Sequence, residues 1–173
     1  DMVRTFPAAC AGQLLTPQAT RTKQVRGYDV AAGYYEWQGL RYVPSWGGSM
    51  FEALMPALLL DEQRYAPKSL GANDAAHAAI HQRYASQELD YPVWGLSPSA
   101  SPGGDGYGEY GVQILGVRGY AAGVVTPHAA ALALAVAPEA ALADLRALAQ
   151  RYPLYGDYGF YDAVEPPAGT VAY

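Results

Sequence analysis

Between Thr126 and Arg151 two helical segments of opposite character meet at Pro138, and this pair constrains the fold more than any other feature. Thr126-Pro127 supplies a cap and a proline at the first helical position, where the missing N–H has no intrahelical partner to lose. The run that follows, through Ala129, Leu132, Leu134, Ala135 and Val136, is apolar on nearly all sides and is expected to be buried. From Pro138-Glu139 onward, Leu142, Leu145, Leu148 and Ala149 form one stripe, with Asp144, Arg146 and Gln150 opposite. A buried helix followed by an amphipathic one reads as an α-hairpin with one member inside and one outside.

Two further helices are legible. Ser49 with Glu52 three residues later has the capping-box arrangement, and Met50, Phe51, Leu54, Met55 and Leu58 recur at helical spacing up to Asp61. Pro56 is expected to kink that helix. A second segment runs from Asn73 to Glu88, capped by Asn73 or Asp74, with Ala76, Ala79, Ile80 and Tyr84 on one face and Asp90-Tyr91-Pro92 as its stop. Residues 1–48, broken by Pro7, Pro17 and Pro44, read as irregular. The expected class is therefore all-α, with a division into an aromatic-rich irregular segment, 1–44, and a helical domain, 45–173.

The connections are long and unusual in composition. Gly (19) and Pro (13) together make up 32 of 173 residues, and they gather with aromatics in 91–108 and 152–162. A loop of that length in a small domain is usually functional or disordered, and the chain's 15 tyrosines argue against disorder. A formal net charge of −5 speaks against nucleic acid as a partner. Cys10 has no second cysteine with which to bridge, and no apolar run approaches the ~18 residues of a membrane span. No basic-then-apolar leader is visible in the first ten residues. Phosphate loops of the Gly-Lys-Ser/Thr type and Gly-x-Ser-x-Gly elbows are missing too.

Aromatic side chains held in loops above a helical scaffold suit sugars, whose apolar ring faces stack on them while amides and carboxylates bond the hydroxyls. The plainer alternative is that the tyrosines pack the loops down.

At Ser45-Trp46-Gly47-Gly48-Ser49-Met50-Phe51-Glu52-Ala53-Leu54-Met55-Pro56 the chain resembles the glucoamylase-like (glycoamylase) domain family, which includes the C-terminal region of cyclic β-1,2-glucan synthases and endo-β-1,2-glucanases. The resemblance continues in order through Trp94-Gly95-Leu96-Ser97, Gly108-Glu109-Tyr110-Gly111-Val112, Gly123-Val124-Val125-Thr126-Pro127-His128-Ala129 and Tyr158-Gly159-Phe160-Tyr161-Asp162-Ala163. It implies an (α/α)6 toroid of inner and outer helices, partial or reduced here, around a bowl lined by loops. It also implies cleavage or transfer at glucosidic bonds of an oligo- or polysaccharide, no metal or organic cofactor, and a periplasmic or secreted location. Two acidic positions depart from the family pattern. Pro98 follows Ser97 where the glucan-synthase branch usually has Glu, and Asp162 stands where Glu is common.

Glycoside cleavage needs two facing carboxyl groups, roughly 5–5.5 Å apart for retention and roughly 6.5–9.5 Å for inversion. Glu52, Glu109 and Asp162 are the candidates inside family motifs. Glu52 is either the capping-box partner of Ser49 or a general acid. Glu109, among small neighbours, suits catalysis or hydroxyl binding, and Asp162 suits a base or a hydroxyl ligand. Asp105, within Gly-Gly-Asp-Gly, reads as a turn residue. Trp46, Trp94, Tyr107, Tyr110, His128 and Tyr161 are the expected substrate-binding residues. His77 and His81, four apart on one helix, have metal-ligand spacing but no third ligand nearby, and are expected as exposed polar residues. The competing function is a non-catalytic glycan-binding or structural envelope module of the same descent. Four helices fall short of six pairs, so an open bowl is expected, or one completed by a second copy in a homo-oligomer or by the remainder of a longer chain.

Overall fold

The computed structural model describes residues 19–104 and 106–173; Cys10 and Asp105 lie outside the described residues. The first described segment, expected to be irregular, is an antiparallel meander of β1 (Ala19–Val25), β2 (Tyr28–Trp37) and β3 (Leu40–Tyr42). Each turn is two residues long, and all four turn residues have positive φ: Arg26 and Gly27 at 51° and 84°, Gln38 and Gly39 at 48° and 77°. That geometry matches the twist of the flanking strands and is the favoured hairpin connection. Adjacent aromatics at Tyr34 and Tyr35 blur the alternation in sequence. The structure separates them: Tyr35 and Tyr42, opposite one another, enter the core, while Glu36 and Arg41 pair across the other face at 3.1 Å.

The helices follow. Ser49 caps α1 (Met50–Leu54) by accepting the Glu52 N–H at 3.2 Å. Pro56 has no N–H for the Glu52 carbonyl, so the chain tightens there into a 3-10 turn, Met55–Leu58. A single turn, α2 (Glu62–Tyr65), precedes α3 (Leu70–Gln87). The latter starts three residues ahead of the expected Asn73 because Asn73 does not cap it. Its side-chain oxygen instead accepts the Val43 N–H at 2.7 Å, tying α3 to the end of β3. The expected α-hairpin is present as α4 (Pro127–Ala133) and α5 (Pro138–Arg151). Within α4, Ala129, Ala130 and Ala133 are fully buried, but Ala131 faces out.

Three short hairpins complete the fold: β4 (Ser99–Ala100) with β5 (Tyr107–Gly108), β6 (Tyr155–Gly156) with β7 (Gly159–Phe160), and β8 (Ala163–Glu165) with β9 (Thr170–Ala172). Among the described residues the fold is thus helical with four small sheets rather than all-α, because the glycine-rich connections satisfy their backbone groups by pairing with one another.

Two cores meet at α3. In one, Tyr35, Tyr42, Ile80, Leu96, Leu115, Leu148 and Leu154 join the meander to α3 and α5. In the other, alanines at 78, 85, 129, 133 and 141 let four helices close around Met50, Leu54 and Trp94. Polar groups expected outside lie within. His77 and His81 are fully buried, and their Nε2 atoms donate to the carbonyls of Val43 at 2.9 Å and Gly48 at 3.1 Å. Asp144, placed by its pattern on the wet side of α5, is also buried and accepts the Trp94 N–H at 3.0 Å. Helical periodicity counts side-chain polarity; it does not register loops that lean on a helix and need donors and acceptors from it.

Candidate active site

The motif Ser45–Glu52 is built around one carboxylate. Glu52 projects back from α1 toward the loop before it, where its Oε2 accepts from Ser45 Oγ at 2.7 Å and from the Gly47 N–H at 2.8 Å. Ser45 Oγ in turn accepts the Gly48 N–H at 2.9 Å. Gly48 turns the chain with φ 78°, and a Cβ there would lie 2.2 Å from the Val112 carbonyl oxygen, so only glycine fits. The Ser49 cap and the bonds to Glu52 coexist: the backbone N–H of Glu52 serves the first, its side chain the second. Oε1 of Glu52 has no hydrogen bond among the described residues, and the side chain borders a cleft of about 810 Å³.

The rest of the lining comes from α4, which packs on α1, from Pro98 and β5, and from the turn ahead of β8. Asp162, just ahead of β8, accepts the Ala100 N–H on Oδ2 at 2.6 Å and lines the same cleft. His128, on the first turn of α4, stands beside it. Burial pushes the imidazole below its ordinary pKa, while the Asp162 charge pulls it upward. Tyr107, 72% exposed on β5, reaches in from the rim. Phe51, Leu58, Pro98 and Leu132 give the cleft apolar walls. Phe51 and Leu58, which recur at helical spacing in the sequence, are both exposed here. The neighbouring Glu52 is the one signal that could have marked Phe51, since a carboxylate inside an apolar turn tells which side faces a site.

Glu52, Asp162, His128 and Tyr107 therefore come together, and the remaining expected site residues do not. Glu109 is exposed beyond the cleft lining and accepts the Tyr120 hydroxyl at 3.4 Å. Tyr120 packs its ring flat against Gly47, where a Cβ would come within 2.0 Å of it. Desolvation first, then the charges of Glu52 and Glu109, raise the pKa of the Tyr120 phenol. Trp46 is 54% exposed outside the cleft. Trp94 is 6% exposed and sits in the alanine-lined core. Tyr110 packs against Gly108 and Gly123 and bonds Ser101 Oγ at 3.0 Å, so it holds the loops together. Tyr161 meets Tyr173 edge-on, ring centroids 4.7 Å apart. Among the described residues no group of three or more His, Cys, Asp or Glu is placed to hold a metal ion, and no helix is long and apolar enough to cross a membrane.

The family model Glycoamylase, described as "Putative glucoamylase", matches residues 15–172. Cyclic beta-(1,2)-glucan synthase NdvB of Rhizobium meliloti (strain 1021) is 36% identical over 128 residues, which is 70% of this chain and 4% of that protein. A beta-1,2-glucanase from Parabacteroides distasonis has the same fold with a TM-score of 0.64 at 25% identity, over 79% of this chain and 20% of its own. The endo-beta-1,2-glucanase from Chitinophaga pinensis, solved with sophorotriose and glucose, gives a TM-score of 0.62 at 24% identity, over 80% of this chain and 35% of its own. The chain thus spans a minor part of the relatives it matches. Since the family model runs through the cleft lining, from the Ser45–Glu52 loop to Asp162, this chain belongs to the glucoamylase-like (Glycoamylase) family.

Proposed function

We propose that the cleft is the active site of a glycoside hydrolase or transglycosylase acting on a glucan, with Glu52 and Asp162 as its carboxyl pair. One observation carries the reading: two carboxylates from distant parts of the chain, each held by backbone N–H groups through one oxygen only, border a single apolar-walled cleft. A proton on Glu52 belongs on Oε1, because Oε2 already accepts two hydrogen bonds. From there it passes to the glycosidic oxygen as the C1–O bond breaks. In the same step Asp162 either takes a proton from the water or sugar hydroxyl that attacks C1, or bonds C1 itself; in the second case Glu52, now ionised, takes the proton of the water or hydroxyl that displaces Asp162 from C1. Phe51 and Tyr107 offer ring faces for stacking. Glu109 with Tyr120 at the rim, and Trp46 beyond it, extend the surface for sugar hydroxyls and further rings.

The glucan is a β-1,2-linked one in this reading, supported by the synthase and the two glucanases among the relatives. The inner position of α4, which borders the cleft, and the outer position of α5 support an (α/α)6 toroid completed by further chain or by a second copy. A periplasmic or secreted location goes with a polysaccharide substrate.

A second reading has a specific observation behind it. Aspartate is one methylene shorter than the glutamate common at position 162, and its Oδ2 is already engaged by the Ala100 N–H. A domain with that change could keep sugars without cleaving them. The discriminating measurement is reducing-sugar release from linear β-1,2-glucan by the full natural chain and by Glu52→Gln and Asp162→Asn, beside binding of the same glucan. Loss of release with binding retained supports the enzyme; binding without release in the parent supports the module. Undiminished release in both variants overturns the carboxyl pair.

A further inference from the structure

We infer that His81 is the positioning residue of this cleft, a buried neutral imidazole that staples the loop carrying Glu52 to the loop that holds Asp162. The inference rests on the proposed carboxyl pair for its functional meaning, and on hydrogen-bond geometry for its substance. His81 lies mid-helix in α3, fully buried, and reaches none of the cleft surface. Its Nε2 faces the Gly48 carbonyl at 3.1 Å, and its Nδ1 accepts the Leu96 N–H at 3.3 Å. A carbonyl can only accept and a peptide N–H can only donate, so the ring carries its single proton on Nε2. An imidazolium would turn a second N–H against that of Leu96.

Both bonded peptides lead directly to the site. Gly48 precedes the Ser49 cap of α1, and its N–H bonds the Ser45 hydroxyl that holds Glu52. Leu96 returns a bond of its own, its carbonyl accepting the N–H of Met50, the first residue of α1. Two residues on, Pro98 borders the cleft, and Ala100 donates to Asp162. The imidazole therefore bridges the loop ahead of α1 to the segment that runs on to Ala100, beside the direct bond between Met50 and Leu96. Moving either loop by an ångström would change the separation of the two carboxyls. That is a change reacting geometry feels far more than binding does.

The test uses the full natural chain with three substitutions. His81→Leu removes both bonds, His81→Gln keeps a donor and an acceptor on one side chain, and Trp37→Ala loosens the meander where it packs on Tyr84 of α3, without removing either bond of the staple. At a temperature where all are folded, His81→Leu is expected to lower kcat by about 10- to 100-fold with KM within about threefold. His81→Gln should recover at least a tenth of the parent rate, and Trp37→Ala should leave kcat unchanged. Hydrogen exchange followed by mass spectrometry should quicken in the peptides spanning 48–51 and 94–98 of His81→Leu, and not in those of Trp37→Ala. Equal kcat in the two destabilised variants, or unchanged exchange in both loop peptides, overturns the staple. Glu52→Gln in the same series separates the two ideas. If it retains parental activity the carboxyl-pair reading fails, and the exchange measurement alone then decides whether the staple stands.

Discussion

Two segments with the same ingredients (glycines, two aromatics and a glutamate) have opposite fates in this molecule. Ser45–Glu52 is bonded from behind at almost every position: Ser45 and Gly47 to Glu52, Gly48 to Ser45 and His81, Met50 to Leu96. Residues 106–110 contain the returning strand of the β4–β5 hairpin and expose Glu109 to solvent with one long bond from Tyr120. A carboxylate becomes part of a site through what is packed behind it, since orientation has to be fixed before chemistry can use it.

The sharpest way to break this comparison is to neutralise the two glutamates in parallel. Glu52→Gln is expected to reduce glucan cleavage by roughly a thousandfold, within the 10²–10⁴ supplied by a positioned acid or base, while Glu109→Gln costs less than about tenfold. Steady-state rates on linear β-1,2-glucan decide it, and equal losses would erase the distinction between held and unheld carboxylates.

Next comes the backbone. Gly48→Ala brings a Cβ to 2.2 Å from the Val112 carbonyl at φ 78°; strain and overpacking together should cost about 3 kcal/mol or more. Gly106→Ala has a comparable φ of 94° but nothing within 4 Å, so only the roughly 1 kcal/mol conformational penalty applies. Denaturant unfolding of the two variants measures the difference, which vanishes if the motif loop can yield.

Asp144 extends the comparison to the Trp94–Pro98 loop, which it holds through the Trp94 N–H. Burial pushes its carboxyl up from 3.8 to about 7, against a smaller opposing pull from that hydrogen bond. The native state therefore binds this proton more tightly than the unfolded chain. The associated stability is fully present below about pH 4 and is lost as pH rises through 7. Asp144→Asn should raise the melting temperature at pH 8, by something on the order of 2 kcal/mol of stability, and leave it nearly unchanged at pH 4. Melting curves at the two pH values test this, and a variant less stable at pH 8 would mean that the charged form is the one the loop needs.

The smallest effect is expected at Ser101→Ala. It removes the Tyr110 hydroxyl contact in the hairpin, worth about 0.5–1 kcal/mol, whereas Ser45→Ala takes away a bond to Glu52 and leaves the buried Gly48 N–H without its acceptor. A fall in kcat for Ser45→Ala alone would sharpen the contrast between the two segments; a fall in both would blur it.

Much of the helical frame is legible in the residues. Ser49 and Thr126-Pro127 mark helix starts, Pro56 breaks α1, and Pro127 and Pro138 open the two helices of the α4–α5 hairpin, but apolar periodicity misplaces Leu134, Ala135 and Leu142, which are exposed. The meander is harder to see because its turns are Arg-Gly and Gln-Gly rather than Asn-Gly, and because Tyr34 and Tyr35 give both faces an aromatic. The polar interior is harder still. His77, His81 and Asp144 sit on helices whose composition assigns them to solvent, and each is buried because a loop passing over the helix needed a hydrogen-bond partner.

The family motifs by themselves determined which carboxylates, histidine and aromatics to weigh, since those depend on residue identity and order along the chain. Only the tertiary structure decided which of them meet. Glu52 and Asp162 are 110 positions apart, and their convergence depends on backbone bonds through Gly48, Leu96 and Ala100 that leave no periodic trace. Trp94 and Tyr110 are aromatic like Tyr107, yet the first is buried among alanines and the second packs between glycines, away from the cleft lining. Local sequence carries the preferences of a helix or a turn, because those arise between near neighbours. A site arises between distant ones, and it is the core between them that sets the distance.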